Sequence, residues 1–264
     1  MTKWFHKVDL GWLMARQECL TATDVKDLLP ITKTGRKRIV TEDAYLGVLA
    51  KKLQLLTNED CESTGAAARG HVLEPYAIKM YNGEVSLQSG LPRFLYHWDD
   101  IVVTRRSFKK FSLGFSPDAL DIEPPKGCNM FAANEFKCVG EIKSYYPTKH
   151  LVCANTPADQ LEERWQIAVA MAVCETIEEG RLLFYNPSMP KDMLYVVEYD
   201  RTDLADEIDM VLDVEDKWLT FIENYDVSIP VNDVYVDGLL EQEIIRDIMK
   251  REELNPEGEK SVIA

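Results

Sequence analysis

No stretch of this 264-residue chain approaches the roughly 20 consecutive apolar residues that a membrane-spanning helix needs. Its opening, Met1-Thr2-Lys3-Trp4-Phe5-His6-Lys7-Val8-Asp9, lacks the apolar core of a signal peptide. The six cysteines, at 19, 61, 128, 138, 153 and 174, form no CxxC or other ligand-like spacing. That argues against zinc and iron–sulfur centres and for reduced thiols in a cytoplasmic protein. A GxxxxGK loop is missing, so the chain carries no motor of its own, and the absence of HExxH and GxSxG removes the commonest protease and esterase motifs. No internal repeat is visible. Positive charge is scarce: 30 Lys and Arg against 45 Asp and Glu leave a net charge of −15, which disfavours non-specific attraction to a polyanion.

The apolar fraction of 46% is ordinary for a globular protein, and 28% of the residues are charged. The few cations are clumped. Lys33, Arg36, Lys37 and Arg38 form one cluster, and Arg105, Arg106, Lys109 and Lys110 another. Alone these read as two solvated loops; the sharper alternative is a cationic groove lining inside an acidic exterior.

Periodicity predicts a helix-rich start from Asp9 to Leu29, with Thr21-Ala22-Thr23-Asp24 offering cap residues and Pro30 ending it. A second helix opens at Thr41-Glu42-Asp43, and a third runs from about Ala66 to Tyr81, ending at Asn82-Gly83. The period then shifts to that of strands, over Val85 to Gln88, Arg93 to Val103, Phe111 to Leu120 and Phe131 to Tyr146. A helix introduced by Pro157 and Asp159 reaches Glu175; strands follow at Arg181 to Tyr185 and Met193 to Tyr199. A long helix capped by Thr202 and Asp203 runs toward Asn224. Leu239 to Lys250 is predicted to form a last helix, followed by a disordered tail. The pattern is α/β (α+β), a central mixed β-sheet flanked by helices, with residues 1–230 as one domain and 231–264 as a C-terminal helix and tail.

The chemistry concentrates at Gly114-Phe115-Ser116-Pro117-Asp118 and at Glu141-Ile142-Lys143. Side chains on a strand alternate, so Glu141 and Lys143 share one face. If Asp118 ends the neighbouring strand, two carboxylates and an amine surround one point, and the Ile142 carbonyl adds a third oxygen. Such hard oxygen ligands suit Mg²⁺ or Mn²⁺ and a polarised water, the equipment for hydrolysing a phosphodiester. An isolated E-x-K is common on solvated strand faces, and Glu135-Phe136-Lys137 repeats the pattern six residues upstream.

Four blocks together resemble the PD-(D/E)xK nuclease superfamily, and within it the phage-type exonucleases related to lambda exonuclease and the YqaJ recombinases. They are Trp12-Leu13-Met14-Ala15-Arg16 leading to Leu20-Thr21-Ala22-Thr23-Asp24, then Arg69-Gly70-His71-Val72-Leu73-Glu74-Pro75-Tyr76-Ala77, then Ser116-Pro117-Asp118-Ala119-Leu120. The fourth is Gly140-Glu141-Ile142-Lys143, with Pro147-Thr148 and later Trp165-Gln166-Ile167. Ala119 departs from the family's usual Gly, and Pro147-Thr148 sets the alignment on Glu141 rather than Glu135.

The resemblance implies a restriction-endonuclease-like core and a metal-dependent 5′-to-3′ exonuclease on double-stranded DNA. Such an enzyme releases mononucleotides and leaves 3′ overhangs for recombination by strand annealing, in a bacterial or phage-infected cytoplasm. It implies Asp118, Glu141, the Ile142 carbonyl and Glu74 as ligands of Mg²⁺, two ions per site, with Mn²⁺ able to substitute. Lys143 would orient or deprotonate the attacking water, Gln166 would help position Lys143, the water or the nearby phosphate, and Arg16 and Thr23 would hold a 5′-terminal phosphate. Arg36, Lys37, Arg38, Arg105 and Arg106 are carried as DNA-binding residues. A ring-shaped homotrimer and a single-strand annealing protein are the implied partners. An endonuclease or repair nuclease on the same core, or a non-catalytic DNA-binding protein, are the competing readings.

Overall fold

The computed structural model describes residues 5–32, 36–54, 56, 60, 62–88, 94–98, 102–105, 111–123, 130–132, 136–189 and 191–225. A compact unit spans Met1–Phe221; of the second, Ile222–Ala264, only the first residues are described. Strand β1 (Phe5–Lys7) leads into helices α1 (Leu10–Gln17), α2 (Ala22–Leu28) and α3 (Glu42–Leu53). Strand β2 (Glu62–Thr64) pairs with β1 and precedes the long helix α4 (Ala66–Gln88). Five short strands follow: β3 (Tyr96–His97), β4 (Val102–Thr104), β5 (Gly114–Phe115), β6 (Ala119–Leu120) and β7 (Met130–Ala132). Then come β8 (Cys138–Lys143), α5 (Pro147–Ala154), α6 (Arg164–Val173), β9 (Glu179–Tyr185), β10 (Leu194–Asp200) and α7 (Ala205–Asn224).

The main sheet has the order β10-β9-β8-β6-β3, and β5-β4-β7 form a smaller one. Within the main sheet β8 and β9 are parallel and the remaining pairs antiparallel. The parallel pair requires a crossover, which α5 and α6 supply.

Alternation along β8 divides its side chains between two helical layers. Cys138 and Ile142 join Leu73, Ala77, Ile78 and Tyr81 of α4 in one core cluster. On the opposite face lies α6, buried continuously from Ile167 to Val173. Its alanines let it sit close to the sheet, and a Cβ on Gly180 would stand 2.2 Å from Ile167 Cγ2. A larger residue there would lift α6 off the sheet and displace Gln166, which precedes Ile167. Helix α7 is amphipathic, burying Ile208, Val211, Val214, Glu215, Trp218 and Leu219. It is fastened by Glu215, which accepts hydrogen bonds from Arg105 and from Leu113 N (2.9 Å), and by Trp218 Nε1, which donates to Phe111 O (3.0 Å).

The predicted fold class holds, with corrections at particular elements. Val85–Gln88 belong to α4 rather than to a strand. Asn82-Gly83 reads as a helix end, but Gly83 does not take the positive φ of a left-handed cap. Asn82 instead donates to Leu95 O (2.8 Å) and accepts from Leu95 N (2.9 Å), pinning the incoming loop to a helix that continues. The expected strand Phe131–Tyr146 divides between β7 of the small sheet and β8 of the main one, and its end turns into the unforeseen α5. The helix expected from Pro157 begins only at Arg164, after a single 3-10 turn at Ala158–Gln160. Leu239–Lys250 and the tail lie outside the described residues. Among those described, no helix is long and apolar enough to cross a membrane, and Cys19, Cys138, Cys153 and Cys174 are buried and not disulfide-bonded.

At the start of α2, Asp24 accepts from Thr21 N (2.9 Å) and Thr21 Oγ1 (2.6 Å) in a capping box and pairs with buried Lys52 at 2.6 Å. Burial pushes the Asp24 carboxyl up, but Lys52 and Thr21 outweigh it and hold it below its ordinary value. A carboxylate depressed on folding stabilises above its unfolded pKa, and that stability is lost as pH falls through the folded one. We predict that Asp24→Asn costs about 3 kcal/mol at pH 7 by leaving Lys52 buried and unpaired. The gap from wild type should narrow below about pH 4, as read by urea unfolding at both pH values.

Candidate active site

Continuing the β6–β8 register one step beyond Ala119↔Gly140 brings Asp118 opposite Glu141. Pro117 limits the backbone before Asp118, and Asp118 Oδ2 accepts a 2.7 Å hydrogen bond from Ile142 N. Gly140 permits this approach, since a Cβ there would meet Leu95 Cδ1 at 2.9 Å and Ala119 Cβ at 3.1 Å. Glu141, 7% exposed, pairs through Oε1 with Lys143 and accepts from Gln166 Nε2 at 2.6 Å. Glu74 projects from α4 and is held between His71 Nδ1 (3.4 Å) and His97 Nε2 (3.2 Å). Asp118, Glu141, Lys143, Gln166, Glu74 and His71 line a cleft of about 630 Å³ together with Arg16, Thr23, Lys26, Ser116, Lys149 and Glu163.

The electrostatics are those of crowded carboxylates. Burial, then the charges of Glu141 and Glu74, push the Asp118 carboxyl well above the ordinary range, against Lys143 and the Ile142 N–H. Burial would pull Lys143 down, but Glu141 and Asp118 outweigh it and hold its ammonium form. Burial would likewise raise Glu74, and the two histidines overcome it and keep the carboxyl below its usual value. Mutually repelling buried oxygens of this kind fit a hard divalent cation, which would relieve the repulsion. Among the described residues, no group of three or more His, Cys, Asp or Glu side chains already stands in a cation-holding arrangement. Lys143 and Gln166 both engage Glu141 Oε1 instead.

Arg16 lies at the other wall. Its guanidinium rests 4.6 Å from the centroid of the Trp12 ring, whose Nε1 donates to Ser116 Oγ at 3.1 Å. Burial lowers its pKa, opposed by the more distant charges of Asp24, Glu141 and Asp118. Among the described residues no carboxylate comes within ion-pairing distance of it, so a half-buried guanidinium faces the cleft with its carboxylates only at longer range. Thr23 lines the same wall; the cap of α2 is Thr21, which leaves the Thr23 hydroxyl out of that role.

Several residues expected to bind DNA are placed elsewhere. Arg105 is committed to buried Glu215. Arg38 donates to the carbonyls of Leu29 (2.6 Å), Lys26 (2.8 Å) and Asp27 (2.7 Å), capping the end of α2. Neither they nor Arg36 and Lys37 line the cleft. Arg106, with the upstream Glu135, lies outside the described residues.

The cleft also holds residues that sequence reasoning passed over. Lys26 stands 3.6 Å from Glu162, and Lys149 3.6 Å from Glu163. Tyr145 donates to Glu163 Oε1 at 2.5 Å. Lys26 follows Thr23 by three residues, one helical turn, and that spacing was the available signal.

No protein-family model matches the chain, and no curated protein matches it significantly. Its structure is similar to the crystal structure of LHK-Exo in complex with dAMP, at 20% identity and a TM-score of 0.52. It is also similar to that of the alkaline exonuclease LHK-Exo from Laribacter hongkongensis, at 19% identity and a TM-score of 0.53. Each alignment covers 81% of this chain and 95% of that chain. The chain shares the fold of an alkaline exonuclease. Most of that exonuclease's length finds a counterpart here, and the long helix, mixed sheet and crossover that hold the cleft lie inside the compact unit.

Because Asp118 is raised on folding, its sign is opposite to that of Asp24. Its ionisation costs stability as pH climbs from the unfolded carboxylate range through the higher folded value, and the whole cost is present above it. In metal-free buffer at pH 8, Asp118→Asn should therefore raise Tm. The difference should shrink toward pH 4. Added Mg²⁺ or Mn²⁺ should raise Tm for wild type and much less for the variant, measured by differential scanning calorimetry.

Proposed function

We propose that this protein is a metal-dependent deoxyribonuclease of the lambda exonuclease and YqaJ type. It degrades one strand of duplex DNA from the 5′ end to mononucleotides and leaves a 3′ overhang. The observation that carries this reading is the meeting of Asp118, Glu141 and Lys143 at adjoining strand ends, with Glu74 and Gln166 brought in from helices on either side.

Asp118, Glu141, the Ile142 carbonyl and Glu74 would hold Mg²⁺, or Mn²⁺ in its place; the bound cation lowers the pKa of water and offsets charge on a phosphoryl group. The chain's own residues do the rest. Lys143, kept as an ammonium by Glu141 and Asp118, orients the attacking water and faces the negative charge that develops at phosphorus. Gln166 fixes the Glu141 carboxylate through its 2.6 Å hydrogen bond, so the pair presents one geometry to the substrate. Among the described residues Arg16 has no carboxylate in ion-pair contact, and it is braced by Trp12; with Thr23 it suits a terminal phosphate, a guanidinium and a hydroxyl meeting a dianion. That anchor is what would make a strand end, rather than an internal bond, the preferred substrate.

A mononucleotide product agrees with a cleft of about 630 Å³ and with dAMP having been captured in a protein of the same fold. With a net charge of −15, a polyanionic substrate needs local cations: the cleft offers Arg16, Lys26, Lys143 and Lys149 beside its carboxylates, and a bound divalent ion would offset the latter. Other acidic groups, such as Asp206, Asp209, Asp213 and Asp216, lie on α7. Assembly as a homotrimer around DNA, and work beside a single-strand annealing protein in recombination, complete the proposal.

Duplexes labelled at either end, with and without a 5′-phosphate, test it directly. Label should leave only from 5′ ends, faster when phosphorylated, in Mg²⁺ and not in EDTA. Release from 3′ ends would overturn the polarity, cutting of closed circles the exonuclease reading, and activity in EDTA the mechanism. Asp118→Asn and Lys143→Ala should each lower kcat at least about 100-fold with circular dichroism unchanged.

A further inference from the structure

Two tyrosines follow the catalytic strand and face different fates. Tyr145 is used internally: its hydroxyl donates to Glu163, its ring lies 6.1 Å from that of Phe184, and Lys149 Nζ sits 3.5 Å over its face. Its neighbour Tyr146 lines the same cleft but is 61% exposed. A large aromatic left open three residues from Lys143 calls for an occupant, because burying that ring is worth more than solvating it.

The ring is also held in place. Tyr146 is the N-cap of α5, with φ −64° and ψ 157°, and Pro147 occupies the first helical turn. The residue before a proline is restricted to such extended backbone, so the Cα–Cβ direction of Tyr146 is set before any ligand arrives. Beneath it, the buried Arg69 guanidinium lies 5.3 Å from the ring centroid and is tethered by donating to the Ser144 carbonyl. One face of the ring is therefore backed by a fixed cation. The Ser144 hydroxyl oxygen is itself buried without a hydrogen-bond partner, and Ser144 lines the cleft. An unpartnered buried hydroxyl is costly unless a ligand completes it.

We infer that Ser144 and Tyr146 form a nucleotide subsite, in which the Tyr146 ring stacks on a nucleobase of the strand in the cleft and Ser144 Oγ donates to the adjoining phosphate. The subsite rests on the nuclease reading above. Flat aromatic stacking accepts any base, which suits an enzyme that must traverse a strand without choosing sequence. Arg69 behind the ring adds positive charge on the side where the phosphates run.

The test uses duplexes with 2-aminopurine at successive positions from the 5′ end, mixed with the full chain in EDTA so that nothing is cut. Wild type should quench the fluorescence at one position; Tyr146→Ala should lose that quenching and Tyr146→Trp restore it. In Mg²⁺, Tyr146→Ala should raise KM about 10-fold with a smaller change in kcat, and Tyr146→Phe should recover most of it. Quenching and KM unaltered in Tyr146→Ala, while wild type cuts duplex DNA, would overturn the subsite and leave the nuclease reading standing. Wild type that neither binds nor cuts duplex DNA would overturn both.

Discussion

The hydrogen bond from Ile142 N to Asp118 Oδ2, 2.7 Å long, ties a carboxylate to the backbone of the neighbouring strand. It works because β6 and β8 run antiparallel in a register that faces Asp118 with Glu141. A slip of one residue would turn Glu141 and Lys143 into the α4 core and Ile142 out into the cleft. The register is set by apolar residues on the α4 face, Cys138, Ala119 and Ile142, packed against Leu73, Ala77 and Ile78. The chemistry on one face thus depends on the packing on the other.

Charge is the second constraint. The cleft concentrates carboxylates that repel one another and cations that partly offset them, and the balance differs at each wall. At the strand ends burial and the neighbouring carboxylates raise Asp118, and Glu141 and Asp118 secure Lys143 as an ammonium against burial. At the other wall the Arg16 guanidinium leans on the Trp12 ring, with Asp24, Glu141 and Asp118 acting on it from farther away. The cleft thus sets carboxylate oxygens and a guanidinium on different walls. Away from the cleft the same residue types perform structural work, as Arg105 with Glu215 and Lys52 with Asp24 show.

Strand alternation, a local rule, showed that Asp118, Glu141 and Lys143 could share one point, but E-x-K also occurs at Glu135, and only the resemblance chose Glu141. Glu74 and Gln166 were nameable only through the resemblance, since their helices approach the strands from opposite faces. The basic clusters show the limit of composition. Arg38 and Arg105 read as candidate DNA contacts because they lie among other cations, yet carbonyls at a helix end and a buried glutamate from α7, 110 positions away, claim them. Asn82-Gly83 misled for a related reason, the side chain being engaged by Leu95 of another segment rather than by its own helix end.

Sequence by itself determined the mixed α/β class, the helix-rich start and the later sheet, the three chemical groups at the strand ends, and the net acidity of the whole chain. Those follow from periodicity, turn residues and counting, which act over a few residues or over all of them. Only the tertiary structure decided which cations face the cleft, that among the described residues no acid stands in ion-pair contact with Arg16, and that Tyr145 is consumed while Tyr146 is left open. Pairing of a charge or ring is a matter of which distant segment arrives beside it. That is fixed by packing of α4 and α6 on the sheet, not by the neighbours in sequence.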